Sequence, residues 1–201
     1  MALDPSAAER MLAYLQLLQR WNATYNLTAV RDPGQMFSHH LLDCVAVVPP
    51  LRRHLAGAAG RLLDVGSGGG LPGAVIAMLM PEVQVSCVDT VGKKAAFIRQ
   101  VAGELGLRNL NAVHARVEQL DGRFDVITSR AFASLPDFCR LTRPLLAEQG
   151  AWMAMKGKLP ADEMAALPSN IAVFHVEHLA VPSLDAERCL VWMRPAPAAG
   201  A

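Results

Sequence analysis

The stretch Leu62-Leu63-Asp64-Val65-Gly66-Ser67-Gly68-Gly69-Gly70-Leu71-Pro72-Gly73 runs from an apolar strand straight into a turn holding five glycines. Glycine lacks a Cβ, so it takes positive φ freely and lets the backbone approach a ligand closely. The helix expected next, through Ala74 to Met80, opens with N–H groups that have no partner inside the helix. Strand, glycine turn and helix in that order begin a βαβ unit that carries a nucleotide-like ligand.

The same alternation continues outward from this stretch. Strands are expected at Arg61–Val65, at Val83–Val88 ending on Asp89, at Leu110–His114, at Phe124–Ser129 and at Ala151–Lys156, with a helix through Lys93 to Leu105. Two later β-rich runs, Ile171–Val181 and Arg188–Met193, have no long helix between them and read as an antiparallel pair. The expectation is an α/β fold, a mostly parallel seven-stranded Rossmann-like sheet with right-handed crossovers. Two helices precede the first strand. In the first, Met11, Leu12, Leu15, Leu18 and Trp21 recur at helical spacing behind a Ser6–Glu9 capping box. The second runs from about Gln35 to Val48, where Pro49–Pro50 are expected to stop it. The chain therefore reads as one domain over residues 1–201. Helices over 1–58 pack on a core over 59–195, and 196–201 form a frayed Pro/Ala tail.

Composition agrees with this reading. The 201 residues are 52% hydrophobic, enough for one full core and too apolar for disorder. The longest apolar run, Ala74–Met80, is too short to cross a bilayer, and no basic segment precedes an apolar stretch at the N-terminus. A cytoplasmic location with no membrane partner is expected. Cys44, Cys87, Cys139 and Cys189 are scattered, with no metal-ligand spacing, and are expected to be reduced.

The glycine turn leaves two ligand classes open. Gly68-Gly69-Gly70 followed by Gly73 satisfies the dinucleotide spacing, so an NAD-dependent oxidoreductase of the same sheet type is one alternative. Asp64, ahead of the first glycine, favours S-adenosylmethionine: an acid there suits a positively charged amino acid end and repels a pyrophosphate. Asp89 suits ribose hydroxyls in either case. A non-catalytic RNA-binding factor with a vestigial loop is the second alternative.

The carboxyl ends of the strands gather charge. Lys93, Lys94, Arg116, Glu118, Arg130, Lys156 and Lys158 all follow strand ends, and all four lysines of the chain are among them. A basic rim favours an anionic substrate such as RNA. After the fourth strand comes Ser129-Arg130-Ala131-Phe132, with neither the acid–proline motif that grips an exocyclic amine nor a Pro-Cys nucleophile. Cys139 reads as core. A guanine N7, whose lone pair is free at neutral pH, fits such a site, and catalysis would be positioning and electrostatics.

Trp21-Asn22-x-x-Tyr25-Asn26-Leu27-Thr28, His40-Leu41-Leu42-Asp43, the Asp64–Gly73 stretch, Ser129-Arg130-Ala131-Phe132-Ala133 and Lys156-Gly157 together resemble the bacterial 16S rRNA guanine-N7 methyltransferases, the glucose-inhibited division protein B family. The resemblance runs from about residue 10 to residue 194 and is carried by several independent motifs. It implies a class I S-adenosylmethionine-dependent fold and methylation of guanine 527 in the 530 loop of small-subunit rRNA. The substrate would be 16S rRNA in the small subunit or an assembly intermediate, and the enzyme would act as a monomer. By position, Asp64, Gly66, Ser67, Gly68, Leu71, Pro72, Asp89, Val117, Glu118 and Arg130 would hold the cofactor. His40, Arg130 and Lys156 would position the reaction without a general base, and Lys93, Lys94, Arg116, Lys156 and Lys158 would meet the RNA. No metal is expected. Gly69 stands where relatives often carry proline or alanine. His40 and Asp43 share a helix face, where either a structural His–Asp hydrogen bond or a role for His40 in the cleft is open. Trp21 continues the apolar helix stripe and reads as core rather than as an RNA-stacking ring.

Overall fold

A computed structural model describes residues 4–182 and 186–197. The last four residues of the expected tail lie outside them. Seven strands form one sheet in the order β3-β2-β1-β4-β5-β7-β6. They are β1 (Gly60–Val65), β2 (Val83–Asp89), β3 (Leu110–His114), β4 (Phe124–Arg130), β5 (Leu146–Lys156), β6 (Ile171–His178) and β7 (Cys189–Pro195). The first five pair in parallel, and β7 runs antiparallel between β5 and β6. The β5 strand begins at Leu146, earlier than the apolar run at Ala151 announces, because pairing with Phe124 extends it through polar residues.

The period of two along each strand divides the core. Leu62, Val126 and Met153 face one side, while Leu63, Ile127 and Trp152 face the other. The first side is covered by α5 (Gly73–Leu79), α6 (Gly92–Glu104) and the N-terminal helices, and the second by α7 (Leu135–Thr142). The α5 helix is buried almost all round, as its uninterrupted apolar run requires.

The N-terminal layer departs from expectation in two places. The first helix, α1, spans Pro5–Tyr25 with Asp4 at its N-cap and Pro5 in the first turn. Ser6 lies inside that turn and its hydroxyl donates to Asp4 Oδ2, so the Ser6–Glu9 capping box does not form. Proline fits the first turn because the N–H it lacks would have no partner there. The single helix expected over 35–48 is replaced by α2 (Pro33–Met36), a π-helical turn (Phe37–Leu42) and α3 (Asp43–Val45). The same property of proline means that Pro49–Pro50 open the next helix, α4 (Val48–His54), rather than stopping the one before.

Candidate active site

The chain leaves β1 toward β2 on one side and reaches β4 on the other. A doubly wound sheet opens a crevice at the carboxyl ends of two such strands. Two cavities lie there, of about 500 and 350 Å³. They share Gly66 and Ala131, the residues at the ends of β1 and β4.

The glycine turn forms the floor, and four side-chain or strand-end groups hold it. Val88 O accepts from Gly66 N and Ser67 N at 2.9 and 3.2 Å, and Asp89 Oδ2 accepts from Gly68 N at 3.0 Å. Asp64 Oδ2 accepts from Gly73 N at 2.9 Å, and the Tyr14 hydroxyl of α1 donates to Gly69 O at 2.8 Å. Gly66 and Gly68 adopt φ of +66° and +56°, which β-carbon-bearing residues reach only with strain. Gly69 has no such requirement. A Cβ there would stand 3.3 Å from the Tyr14 hydroxyl and 3.4 Å from Leu18, tight contacts that require the neighbours to give by a few tenths of an ångström.

Asp64 is fully buried behind this loop and lines neither cavity. Its Oδ1 has no partner, and burial, opposed by the Gly73 N–H, pushes its carboxyl up to about 7. Asp89 lies on the wall of the smaller cavity with Val117, Glu118, Arg116 and Lys94. Its two oxygens each accept one backbone N–H, from Val91 and from Gly68. A carboxylate has about four acceptor positions, so capacity remains for a sugar diol. Lys94 Nζ sits 3.7 Å from Asp89 Oδ2. The structure thus directs this lysine at the acid rather than outward, while Lys93 and Lys158 are exposed.

The larger cavity is walled by the glycine turn, the π-helical turn and the ends of β4 and β5. Buried Asp43 accepts from Arg130 Nη1 at 3.2 Å and from Arg188 Nε at 3.0 Å. Arg130 Nη1 also donates to His39 O at 3.1 Å. His40 Nε2 lies 2.8 Å from Thr28 Oγ1, and its Nδ1 has no partner, so the His40–Asp43 bond does not form: Asp43 is taken by two guanidinium groups instead. Burial, reinforced by Arg130, lowers His40 to about 4 and leaves it uncharged at neutral pH. Lys156 Nζ donates to both carboxylate oxygens of Glu163, at 3.0 and 2.8 Å. Three cations, Arg130, Arg188 and Lys156, thus face this chamber with two carboxylates between them. The geometry brings together His40, Arg130, Lys156, Gly66, Ser67, Gly68 and Leu71 on one wall system, and Val117, Glu118 and Asp89 on the other. Pro72 is buried at the start of α5 and lines neither.

Arg188, Tyr14 and Glu163 escape sequence reasoning. Each reaches the site from a distant part of the chain, and no local spacing signals it. The free cysteines are all buried, Cys139 in the core of α7, and no group of three or more metal-ligating side chains exists among the described residues. No described helix is long and apolar enough to cross a membrane. Trp21 is partly buried, its ring 5.5 Å from that of Phe97 and its Nε1 donating to Gln100.

The five parallel strands plus an antiparallel pair, the glycine turn and the acid at the end of β2 define a class I S-adenosylmethionine-dependent methyltransferase. Solved structures agree on the fold. A 1,6-didemethyltoxoflavin-N1-methyltransferase from Burkholderia thailandensis, solved with S-adenosylhomocysteine, superposes with a TM-score of 0.62 at 17% identity, over 98% of this chain and 93% of that one. TrmN from Thermus thermophilus gives 0.62 at 19% identity, over 79% and 53%. Residues 7–191 match the family described as rRNA small subunit methyltransferase G, and the chain belongs to that family. Relatives bearing that name are 62% identical in Acidovorax ebreus, over 97% of this chain and 91% of the relative, and 65% identical in Leptothrix cholodnii, over 96% and 89%.

Proposed function

We propose that this protein transfers a methyl group from S-adenosylmethionine to N7 of guanine 527, in the 530 loop of 16S rRNA. The substrate is the small subunit or an assembly intermediate in the cytoplasm, met by a monomeric enzyme. The name shared by its relatives, ribosomal RNA small subunit methyltransferase G, supports the class of substrate. The lining of the two cavities supports the cofactor and the kind of acceptor, and the motifs shared with the 16S rRNA guanine-N7 methyltransferases support the position of the guanine.

When bound, S-adenosylmethionine supplies an electrophilic methyl group on a sulfonium. Asp89 holds the ribose hydroxyls, with Val117 and Glu118 beside the adenine in the smaller cavity. Gly66, Ser67, Gly68 and Leu71 shape the floor under the amino acid end. Asp64 holds the loop from behind through Gly73. Arg130 and Lys156 present positive charge to the chamber while Asp43 and Glu163 fix their directions. Lys93, Lys158 and Arg116 are the exposed basic groups that meet phosphates.

One observation supports the choice of N7: the carboxylates of the chamber are bound by cations, His40 is uncharged, and His39, the other imidazole on its wall, engages Ser38 Oγ and Gln35 O through Nδ1. His40 is pushed to about 4, Asp43 is bound by two arginines, Glu163 is bound by Lys156, and Asp64 stands behind the loop. An exocyclic amine must lose a proton on methylation, whereas N7 attacks with a lone pair already free. Catalysis is then orientation and electrostatics.

Mass spectrometry of small-subunit rRNA from cells with and without the gene tests the reading. Loss of a single N7-methylguanine at the 530 loop is expected, and its persistence would exclude the assignment. Single-turnover transfer with binding saturated should be nearly flat from about pH 6 to 9. An acidic limb that vanishes in His40→Ala would reveal a working base and overturn the N7 reading.

A further inference from the structure

The two cavities meet at Gly66 and Ala131, and Phe132 lines the smaller one, with its ring against Gly66. An ideal Cβ on Gly66 would lie 2.6 Å from Phe132 Cδ2 and 3.3 Å from Cγ, so the ring rests against the loop backbone. Phe138 meets it edge-on from the core, with ring centroids 6.5 Å apart. Ala131, just before it, has φ +52°, a left-handed conformation that L side chains rarely adopt. Strained residues of this kind persist where surrounding structure holds them, and they cluster at functional sites. Phe132 nonetheless remains 36% exposed, so core burial does not account for its placement.

We infer that the Phe132 ring contacts the sulfonium of bound S-adenosylmethionine and thereby favours the charged donor over its neutral thioether product. The inference rests on reading the two cavities as one cofactor site. A ligand with its adenosine in the smaller cavity and its amino acid end in the larger has its centre at Gly66 and Ala131. In this donor the centre is the sulfonium. Aromatic faces attract cations through the ring quadrupole, most strongly where water is excluded. On transfer the S–CH₃ bond breaks and its electron pair stays on sulfur, while the acceptor's lone pair forms the new bond and takes the positive charge. The attraction between ring and sulfur then falls to that of a thioether, which eases discharge of the product.

Calorimetry with S-adenosylmethionine and with S-adenosylhomocysteine tests this on the whole protein. Phe132→Leu should weaken donor binding about threefold or more beyond any change in product binding, a ratio on the scale of one cation–π contact. Phe132→Tyr should preserve the wild-type ratio. If the leucine variant folds poorly, pentafluorophenylalanine at position 132 keeps the shape and reverses the quadrupole, and it should lower the same ratio. Equal weakening of both ligands, or of neither, overturns the inference while leaving the cofactor site standing. A wild-type protein that binds neither ligand overturns the site reading and the inference with it.

Discussion

The glycine turn and the π-helical turn over Phe37–Leu42 are walls of the same cavity, yet they are held in different ways. Most bonds that fix the glycine turn come from within one βαβ unit: Val88 O, Asp89 and Asp64 all belong to β1 or β2. The π-helical turn is fixed from far away. Arg130 reaches His39 O, and Asp43, which follows the turn directly, is clamped by Arg130 and Arg188. Local chemistry shapes the first wall in advance. The second depends on arginines at the end of β4 and just before β7.

If that contrast is right, the largest loss of stability should come from Asp43→Ala. Removing the carboxylate leaves two largely covered guanidinium groups without their counterion, a change worth about 3–5 kcal/mol. Urea denaturation checks it, and a loss below about 1 kcal/mol would mean that the clamp does not hold the wall. Gly73→Ala tests the other wall. Its new Cβ would press on Cys87 Sγ and stand 2.9 Å from Asp64 Oδ2, at a cost of about 1–3 kcal/mol. Cys87→Ala in the same chain should recover part of that loss.

Tyr14 joins the two regions, since it reaches from the N-terminal layer to Gly69. Tyr14→Phe removes the donor to a partly buried Gly69 carbonyl and should cost about 0.5–1.5 kcal/mol, with weaker S-adenosylmethionine binding by calorimetry. Unchanged affinity would show that the loop keeps its shape without the helix.

The two walls should also respond to pH with opposite signs. Asp64 titrates at about 7 in the fold against 3.8 unfolded, so the native state holds the extra proton and stability falls as pH rises from about 4 to 7. His40 titrates at about 4 against 6.5, so the unfolded state binds more protons and stability rises between about 4 and 6.5. Denaturation midpoints of Asp64→Asn should therefore climb through that window, and those of His40→Gln should fall. Parallel slopes in the two variants would contradict the assignment.

The smallest effect is expected from the rim. Lys93 and Lys158 are exposed, while Lys94 faces Asp89 and Lys156 is bound by Glu163. Neutralising Lys93 and Lys158 should lower the salt slope of RNA binding by about one each, with folding untouched. A larger drop from Lys156→Gln than from Lys158→Gln would show that the Glu163 pair opens to RNA.

Periodicity and glycine spacing determined the βαβ order, the antiparallel closing pair, the floor of the site and the acid at the end of β2. Those features arise from interactions within one strand–turn–helix unit, and short-range pattern encodes them. The placement of residues 35–54 was decided elsewhere. An apolar run with prolines at 49 and 50 reads as one helix with a stop, but Pro49–Pro50 start a helix and a π-helical turn precedes them. Nothing local marks a π register, because it is stabilised by what packs against it. Likewise, Asp43 is joined to Arg188 across 145 residues of chain, and His40 to Thr28 across 12. A buried carboxylate takes the strongest donors that the fold brings within reach, and only the packed sheet decides which those are.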